Sequence, residues 1–526
     1  MLGVLRKSIA LLILLLGSQF VFAQELGEFK DKGFLVNVDL ERSTLMQGNN
    51  LGFQLDELME PILTNDTLLL RYFRELKPKV LRFPEGHLAN YFLPSDTGLG
   101  FDFGKLNIKD STINVNLSLY SRFQDDFQIL NRLGQFIATD SVQLIFVANV
   151  VDGDTTELLQ SLKLLEAHGV DVVGVELGFE LYRKEYRHKL KLSEYLEKAE
   201  RMTQVVKAFN QEIEVAVCGA PLRKYLHQSS HGLGDLKRWN DKLAKKDFYD
   251  AVSLGIEHDF KKCFKKWDIE RNFPCVVDEM IDFNKDELKE YLLDFEENFG
   301  RRKYIWINSF GFSGISRVLD NTYLESHFVH DFIKGVAEYN MNDSGLVNYY
   351  FYEKCYSRNT ISSLFTRKAL IEKEVVNSQE VYKRAAYYPL SFYSGIHNQI
   401  VFKLNATGAS NIPVLLKTKQ VSFIGFYAPE TKTAHFYVAN KTNAPLRLDM
   451  INFRGKLKYR SRKGRIDVTI LTAQEFWSSM GVSRLTNDDN IYDRSEFYLQ
   501  ERDYTQPKNF VIPSKSLYYI EVLIRR

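Results

Sequence analysis

Gly174-Val175-Glu176-Leu177-Gly178-Phe179-Glu180-Leu181-Tyr182 follows an apolar run, Val170 to Val175, that reads as a short buried strand. The stretch therefore puts a carboxylate, Glu180, at a strand's end. In a parallel β/α barrel the carboxyl ends of the strands form the face where chemistry is done, and Glu180 would project into its mouth. A glutamate after a buried strand also serves as a helix-capping or surface residue, so the surrounding chain has to decide.

On either side the same unit recurs. Upstream, Val142 to Asn149 is an apolar strand finishing on a polar residue, followed by a helical period through Leu158, Leu162 and Leu165 that stops at Gly169. Further back, Asn50 to Asp56 reads as a first strand and Leu68 to Leu76 as a helix ending before Pro78. Lys79-Val80-Leu81-Arg82-Phe83 then runs into Pro84-Glu85-Gly86, which brings Arg82, Glu85, His87 and Asn90 near one strand end. Residues 93 to 120 lack periodicity and read as a long insertion, with a helix from Phe123 to Leu133 beyond it.

Downstream come helix Leu192 to Asn210, strand Glu214 to Gly219, a helix through Trp239 and Leu243, and strand Tyr249 to His258 with Glu257 and His258 at its far end. Helix Leu288 to Phe299, strand Lys303 to Ser309, helix Asn321 to Tyr339 and strand Leu346 to Tyr352 complete the series. Close to eight strands alternating with helices select a closed barrel over an open sheet. From Ala369 the pattern changes to short strands parted by turns, among them Val421 to Tyr427, Thr433 to Ala439 and Ser516 to Ile524. The expected fold is α/β: a (β/α)8 TIM barrel over 46–368 and an all-β sandwich over 369–526, with an early strand within 24–45 joining the sandwich.

The 526 residues are 45% hydrophobic and 26% charged, a globular make-up with room for two or three domains. Residues 1–23 carry Arg6 and Lys7, an apolar run from Ile9 to Leu16, and Val21-Phe22-Ala23, the order of a secretory signal, so a periplasmic or extracellular location is expected. That apolar run is too short to span a bilayer, and no membrane span is expected once the signal is removed. The formal charge of +2 gives no reason to expect nucleic acid as a partner. The cysteines Cys218, Cys263, Cys275 and Cys355 form no disulfide framework and no metal-ligand spacing; Cys263 and Cys275 could pair in an oxidising space. No cofactor and no metal is implied. The 13% aromatic content suits stacking on sugar rings, although buried aromatics account for most of it.

Several stretches resemble secreted retaining glycosidases of clan A, closest in layout to the heparanase/β-glucuronidase and α-L-arabinofuranosidase families. Leu81-Arg82-Phe83-Pro84-Glu85-Gly86 resembles the Leu-Arg-Phe-Pro-Gly-Gly turn after the second strand, and Val175 to Glu180 resembles the Glu-Leu-Gly-Asn-Glu acid/base motif. Asp250 to Leu254 with His258 resembles the sixth strand, and Tyr304 to Ser309 the seventh. The resemblance implies Glu180 as general acid/base. It also implies a nucleophilic glutamate where this chain has Ser309 after Asn308, and a sugar-contacting asparagine where it has Phe179.

Retaining hydrolysis needs two carboxyl groups about 5 to 5.5 Å apart, and an inverting enzyme tolerates about 6.5 to 9.5 Å. With Ser309 at the nucleophile position, and no base beside it evident in the sequence, the expected function is carbohydrate binding at the barrel mouth by an accessory protein of polysaccharide use. Expected site residues are Arg82, Glu85, His87, Asn90, Asn149, Phe179, His258, Asn308 and Ser309. One alternative is an active glycosidase in which Glu257 or Glu279, read with Glu85 as carboxylates in mouth loops, replaces the missing carboxylate. Another is a surface or protein-binding component that uses the barrel as a scaffold. Arg82 reads first as a partner for a buried carboxylate, and Trp306 first as core.

Overall fold

The computed structural model describes residues 34–45, 50–55, 62, 65–84, 86–93, 133–137, 142–221, 233–260, 262–263, 269–283, 287–313, 319–320, 322–342, 346–352, 355, 365–367, 381–393, 400–408, 415, 420–453, 458–459, 466–473, 476, 497–506 and 508–525. Residues 1–23, expected to be a secretory signal, Glu85, and the insertion expected beyond Leu93 lie outside the described residues. The chain divides into two units by its internal contacts, one within Met46–Asn398 and one joining the N-terminal strand to the C-terminal strands.

The first unit is a closed barrel of eight parallel strands: β2 (Asn50–Gln54), β3 (Val80–Phe83), β4 (Gln143–Ala148), β5 (Asp171–Leu177), β6 (Glu214–Cys218), β7 (Ala251–His258), β8 (Tyr304–Phe312) and β9 (Val347–Tyr352). β2 pairs with both β3 and β9, which closes the ring. Between strands run α1 (Thr67–Glu75), α2 (Thr155–Ala167), α3 (Leu192–Phe209), α4 (Leu233–Leu243), α5 (Ile269–Asp282), α6 (Leu288–Phe299) and α7 (Tyr323–Asn342). α2 shows how the sequence sets these helices. The Asp154 carboxylate accepts from the backbone of Thr156 and Glu157, while the Glu157 side chain accepts from the Asp154 N–H at 2.7 Å. The helix then buries Leu158, Leu162 and Leu165, and the chain leaves it through Gly169 at φ +77°.

The lower barrel is filled by Val80, Ile145, Ala216, Ala251, Trp306, Tyr349 and Phe351. The two large rings fit because glycines face them: a Cβ at Gly174 would lie 2.5 Å from the Trp306 ring, and one at Gly52 would lie 2.4 Å from Phe351. Trp306 is fully buried and is core, as its mid-strand position suggests.

β7 and β8 lose register at one place. Leu254 pairs with Ile307 and Gly255 with Ser309, so Asn308 is an extra residue on β8. A bulge of this kind re-aims side chains that strict alternation would send to opposite faces.

The second unit is one antiparallel-dominated sheet, with β1 (Phe34–Leu45), β12 (Ile400–Gly408), β13 (Val421–Ala428), β14 (Thr433–Asn440), β15 (Leu446–Phe453), β17 (Ile466–Ala473), β18 (Phe497–Tyr504), β19 (Lys508–Ile512) and β20 (Ser516–Arg525) in the order β18-β17-β20-β14-β13-β12-β1-β15-β19, and the short β16 (Lys458–Tyr459) pairs with β20 off that path. It folds over a single core that takes in Phe34 and Val36 of β1, Phe436 of β14, Ile451 of β15 and Ile520 of β20. Tyr504 of β18 and Phe510 of β19, at opposite ends of the strand order, meet at 4.8 Å between ring centroids, which makes the sheet a sandwich. β1 lies between β12, antiparallel, and β15, parallel.

The boundary between the units lies further along than the change of pattern at Ala369 suggests. β10 (Phe365–Arg367), β11 (Val381–Lys383) and α8 (Tyr387–Tyr393) belong to the barrel unit. The Tyr387 hydroxyl donates to Glu75 of α1 at 2.8 Å, and the Tyr393 hydroxyl meets His330 Nδ1 of α7 at 2.9 Å.

Candidate functional site

A layer of polar side chains lies in the barrel interior. Arg82 on β3 donates from Nε to Glu176 Oε2 on β5 at 2.7 Å, and both side chains are removed from solvent. The other carboxylate oxygen, Oε1, accepts from Ser253 Oγ of β7 at 2.6 Å and from Asn308 Nδ2 of β8 at 3.1 Å. Gln54 of β2 closes the set, donating from Nε2 to the Asn308 carbonyl at 2.5 Å. Five strands thus contribute to one network, in which a buried ion pair is compensated by further hydrogen bonds as a low-dielectric interior requires.

Two atoms of this network have no protein partner among the described residues: Arg82 Nη2 and Asn308 Oδ1. Both belong to side chains that bond the Glu176 carboxylate, Arg82 at Oε2 and Asn308 at Oε1. Asn149 Nδ2, just beyond β4, and His258 Nε2, ending β7, are likewise buried and without a partner among the described residues.

Glu180 lies just beyond β5, held in a left-handed backbone conformation at φ +47° after Gly178 at φ +82°. Such a φ is uncommon for a residue with a side chain and clusters at functional sites. Its carboxylate is met by three side chains: Tyr182 donates to Oε1 at 2.9 Å, Arg183 lies 2.5 Å from Oε2 and His87 Nε2 lies 3.5 Å from Oε2. At the other ring nitrogen, His87 Nδ1 meets the Tyr186 hydroxyl at 2.7 Å. Burial, followed by the nearby Glu180 charge, raises the Tyr182 phenol well above its ordinary range, so it stays a donor to that carboxylate.

Asn90 grips the Phe179 backbone in both directions, donating to its carbonyl at 2.8 Å and accepting from its N–H at 2.9 Å. It positions the turn that carries Glu180. The Phe179 ring lies under the Arg82 guanidinium, 5.3 Å away, where the resemblance implies an asparagine. Asn149 accepts from the Asp152 N–H at 3.0 Å and fastens the turn after β4.

On the opposite side of the ring, Ser309 donates to Glu257 Oε1 at 3.2 Å. A carboxylate therefore does stand beside Ser309, on the neighbouring strand, where the sequence shows no base. The bulge allows it: Asn308 turns to Glu176 and Ser309 to Glu257, and Gly255 opposite leaves the room, since a Cβ there would come within 2.9 Å of Ser309 Oγ. Glu279 is not in a loop at a strand end but within α5, 3.6 Å from Lys262, where it forms an ion pair. His258 packs against Phe260 and Phe283, with ring centroids 4.5 and 4.6 Å away, and burial lowers its pKa to about 4.

Sequence reasoning passes over Gln54, Glu176 and Ser253 as site residues. Glu176 carries a readable signal, since a charged residue inside an apolar strand needs a buried partner. Cys263, after β7, and Cys275, within α5, form a disulfide.

A closed (β/α)8 barrel with a C-terminal β-sandwich is the fold seen in solved glycoside hydrolases. No protein-family model matches the chain, and no curated protein matches it. Solved structures do. A GH51 arabinofuranosidase from Xanthomonas axonopodis pv. citri aligns at TM-score 0.63 and 10% identity, over 94% of this chain and 100% of its own. AbfB, a family 51 alpha-L-arabinofuranosidase from Bifidobacterium longum, aligns at TM-score 0.64 and 11% identity, over 94% and 99%. A Paenibacillus polymyxa xyloglucanase of glycoside hydrolase family 44 aligns at 0.54 and 10%, over 93% and 99%. At these identities the likeness is one of fold, and it extends over nearly the whole chain.

Proposed function

We propose that this protein binds a carbohydrate at the barrel mouth and does not perform retaining hydrolysis through β8. The observation that carries the reading is that a donor of Arg82 and an acceptor of Asn308, in the two side chains that bond Glu176, are buried without a partner among the described residues. A sugar hydroxyl both donates and accepts, so the hydroxyls of one polyol can complement either atom. Leaving such atoms unpaired costs about 1–3 kcal/mol each, and a polyol ligand offsets that cost. A covalent step on Ser309 is disfavoured by chemistry: a glycosyl-serine would have to expel an alkoxide, a far poorer leaving group than the carboxylate of a glycosyl-glutamate.

The test is binding to a panel of arabinose-, xylose-, glucose- and uronate-containing oligosaccharides by the wild type beside Asn308→Ala. Binding to one sugar class, weakened about tenfold or more in the variant, supports the reading. No binding across the panel overturns it.

The Ser309–Glu257 contact favours a second reading, a hydrolase with Glu180 as acid and Glu257 as the displaced second carboxylate. Turnover of aryl glycosides that is lost in both Glu180→Gln and Glu257→Gln would establish it over the first. We also propose export to an oxidising compartment. The Cys263–Cys275 disulfide and the order of residues 1–23 support it. Among the described residues no helix is long and apolar enough to cross a membrane.

A further inference from the structure

Away from the strand ends, a cavity of ≈ 630 Å³ opens between α3 and α4. Six cationic side chains line it, Arg187, Lys191, Arg238, Lys242, Lys245 and Lys246, against one carboxylate, Asp235. The imbalance is local, because the whole chain has a formal charge of only +2.

The cations are ordered by helix geometry. Arg238, Lys242 and Lys245 are spaced at i, i+4 and i+7 and share one face of α4 and the turn that follows it, a row of roughly 10 Å at 1.5 Å per residue. Arg187 is engaged by Asp235 at 2.7 Å, and Lys246 lies 3.6 Å from Glu200. Lys191, Lys242 and Lys245 have no ion pair among the described residues. Beneath the charges the wall is apolar: Leu192, Leu196 and Trp239. Trp239 is fixed in place, donating from Nε1 to the Cys218 carbonyl at 2.8 Å and stacking on Tyr195 at 5.1 Å.

We infer that this groove is a second ligand site, for a linear acidic oligosaccharide bearing carboxylate or sulfate groups. A row of cations separated by a turn of helix matches charges repeated along a chain better than a single compact anion, which two or three of these side chains would saturate. The apolar wall suits the faces of sugar rings, which a phosphate or a simple anion lacks. The site is separate from the barrel interior, and its failure would leave the reading of Arg82 and Asn308 untouched.

The experiment is titration of the full chain with oligogalacturonate, a sulfated glucosamine–uronate oligosaccharide, a neutral glucan of equal length and a single-stranded oligonucleotide. The expected result is binding of an acidic saccharide that weakens with added salt and drops at least about tenfold in Lys242→Glu/Lys245→Glu. The same charge change on α2 and α6, Lys163→Glu/Lys289→Glu, leaves it unchanged. Lysine acetylation of the wild type, with and without that saccharide, provides a readout independent of the variants: protection falls on Lys191, Lys242 and Lys245. Equal loss in the control variant, no preference for acidic over neutral saccharide, tighter binding of the oligonucleotide, or protection spread over lysines outside the groove would each overturn the inference.

Discussion

The guanidinium of Arg82 and the carboxylate of Glu176 meet at 2.7 Å inside the barrel, from strands β3 and β5, with neither exposed to solvent. Removing one member leaves the other charge buried and uncompensated, which costs about 3–5 kcal/mol. Arg82→Met therefore lowers stability by that amount in urea denaturation. The double variant Arg82→Met/Glu176→Gln recovers much of the loss, because the burial cost of an unpaired carboxylate is then gone.

Gly174 faces the Trp306 ring, and a methyl group there would lie 2.5 Å from it in a fully buried layer. Gly174→Ala overpacks the barrel and destabilises it by about 1–3 kcal/mol. Gly174→Ala combined with Trp306→Phe, which shortens the ring, regains part of that loss in the same denaturation assay.

His258 carries a pKa of about 4, lowered by burial from 6.5. The unfolded chain takes up a proton as pH falls below 6.5, whereas the folded chain does so only near 4. Its contribution to stability is therefore intact above 6.5 and declines as pH falls through that interval. His258→Phe, which keeps an aromatic ring against Phe260 and Phe283, flattens this part of the stability profile between pH 7 and pH 4. An unchanged slope would show that other groups carry it.

The disulfide joins Cys263 to Cys275 across 12 residues, tying the segment after β7 to α5. Closing a loop of that size contributes about 3 kcal/mol. Cys263→Ser speeds hydrogen exchange in α5 by a factor that reflects this loss, with smaller changes in the barrel strands.

The barrel is legible in the sequence because each strand is a short apolar run closed by a polar residue or a turn. Glu180, His258 and Ser309 are found from those endings. What the pattern hides is pairing at a distance. Glu176 meets Arg82, Ser253 and Asn308 through contacts that depend on ring closure. The bulge at Asn308 leaves no local mark, because Tyr304 to Phe312 reads equally well as a regular strand; only the register against β7 reveals the extra residue. α5 is masked in sequence by Pro274 within it, a residue that ordinarily breaks a helix, and so Glu279 reads as a loop residue. The barrel's continuation through α8 is hidden for a similar reason, since its anchors, Glu75 and His330, lie on helices far back in the chain.

The placement of β1 between β12 and β15 has a consequence for biosynthesis. β1 is made before the barrel and its two neighbours after it, so an interior strand of the sheet waits unpaired while more than 350 residues are added, roughly 20–70 s of translation. The sandwich is thus the last part of the nascent protein to form. A chain released early carries a completed barrel sequence and an orphan strand with two open edges, a ready substrate for chaperones and proteases.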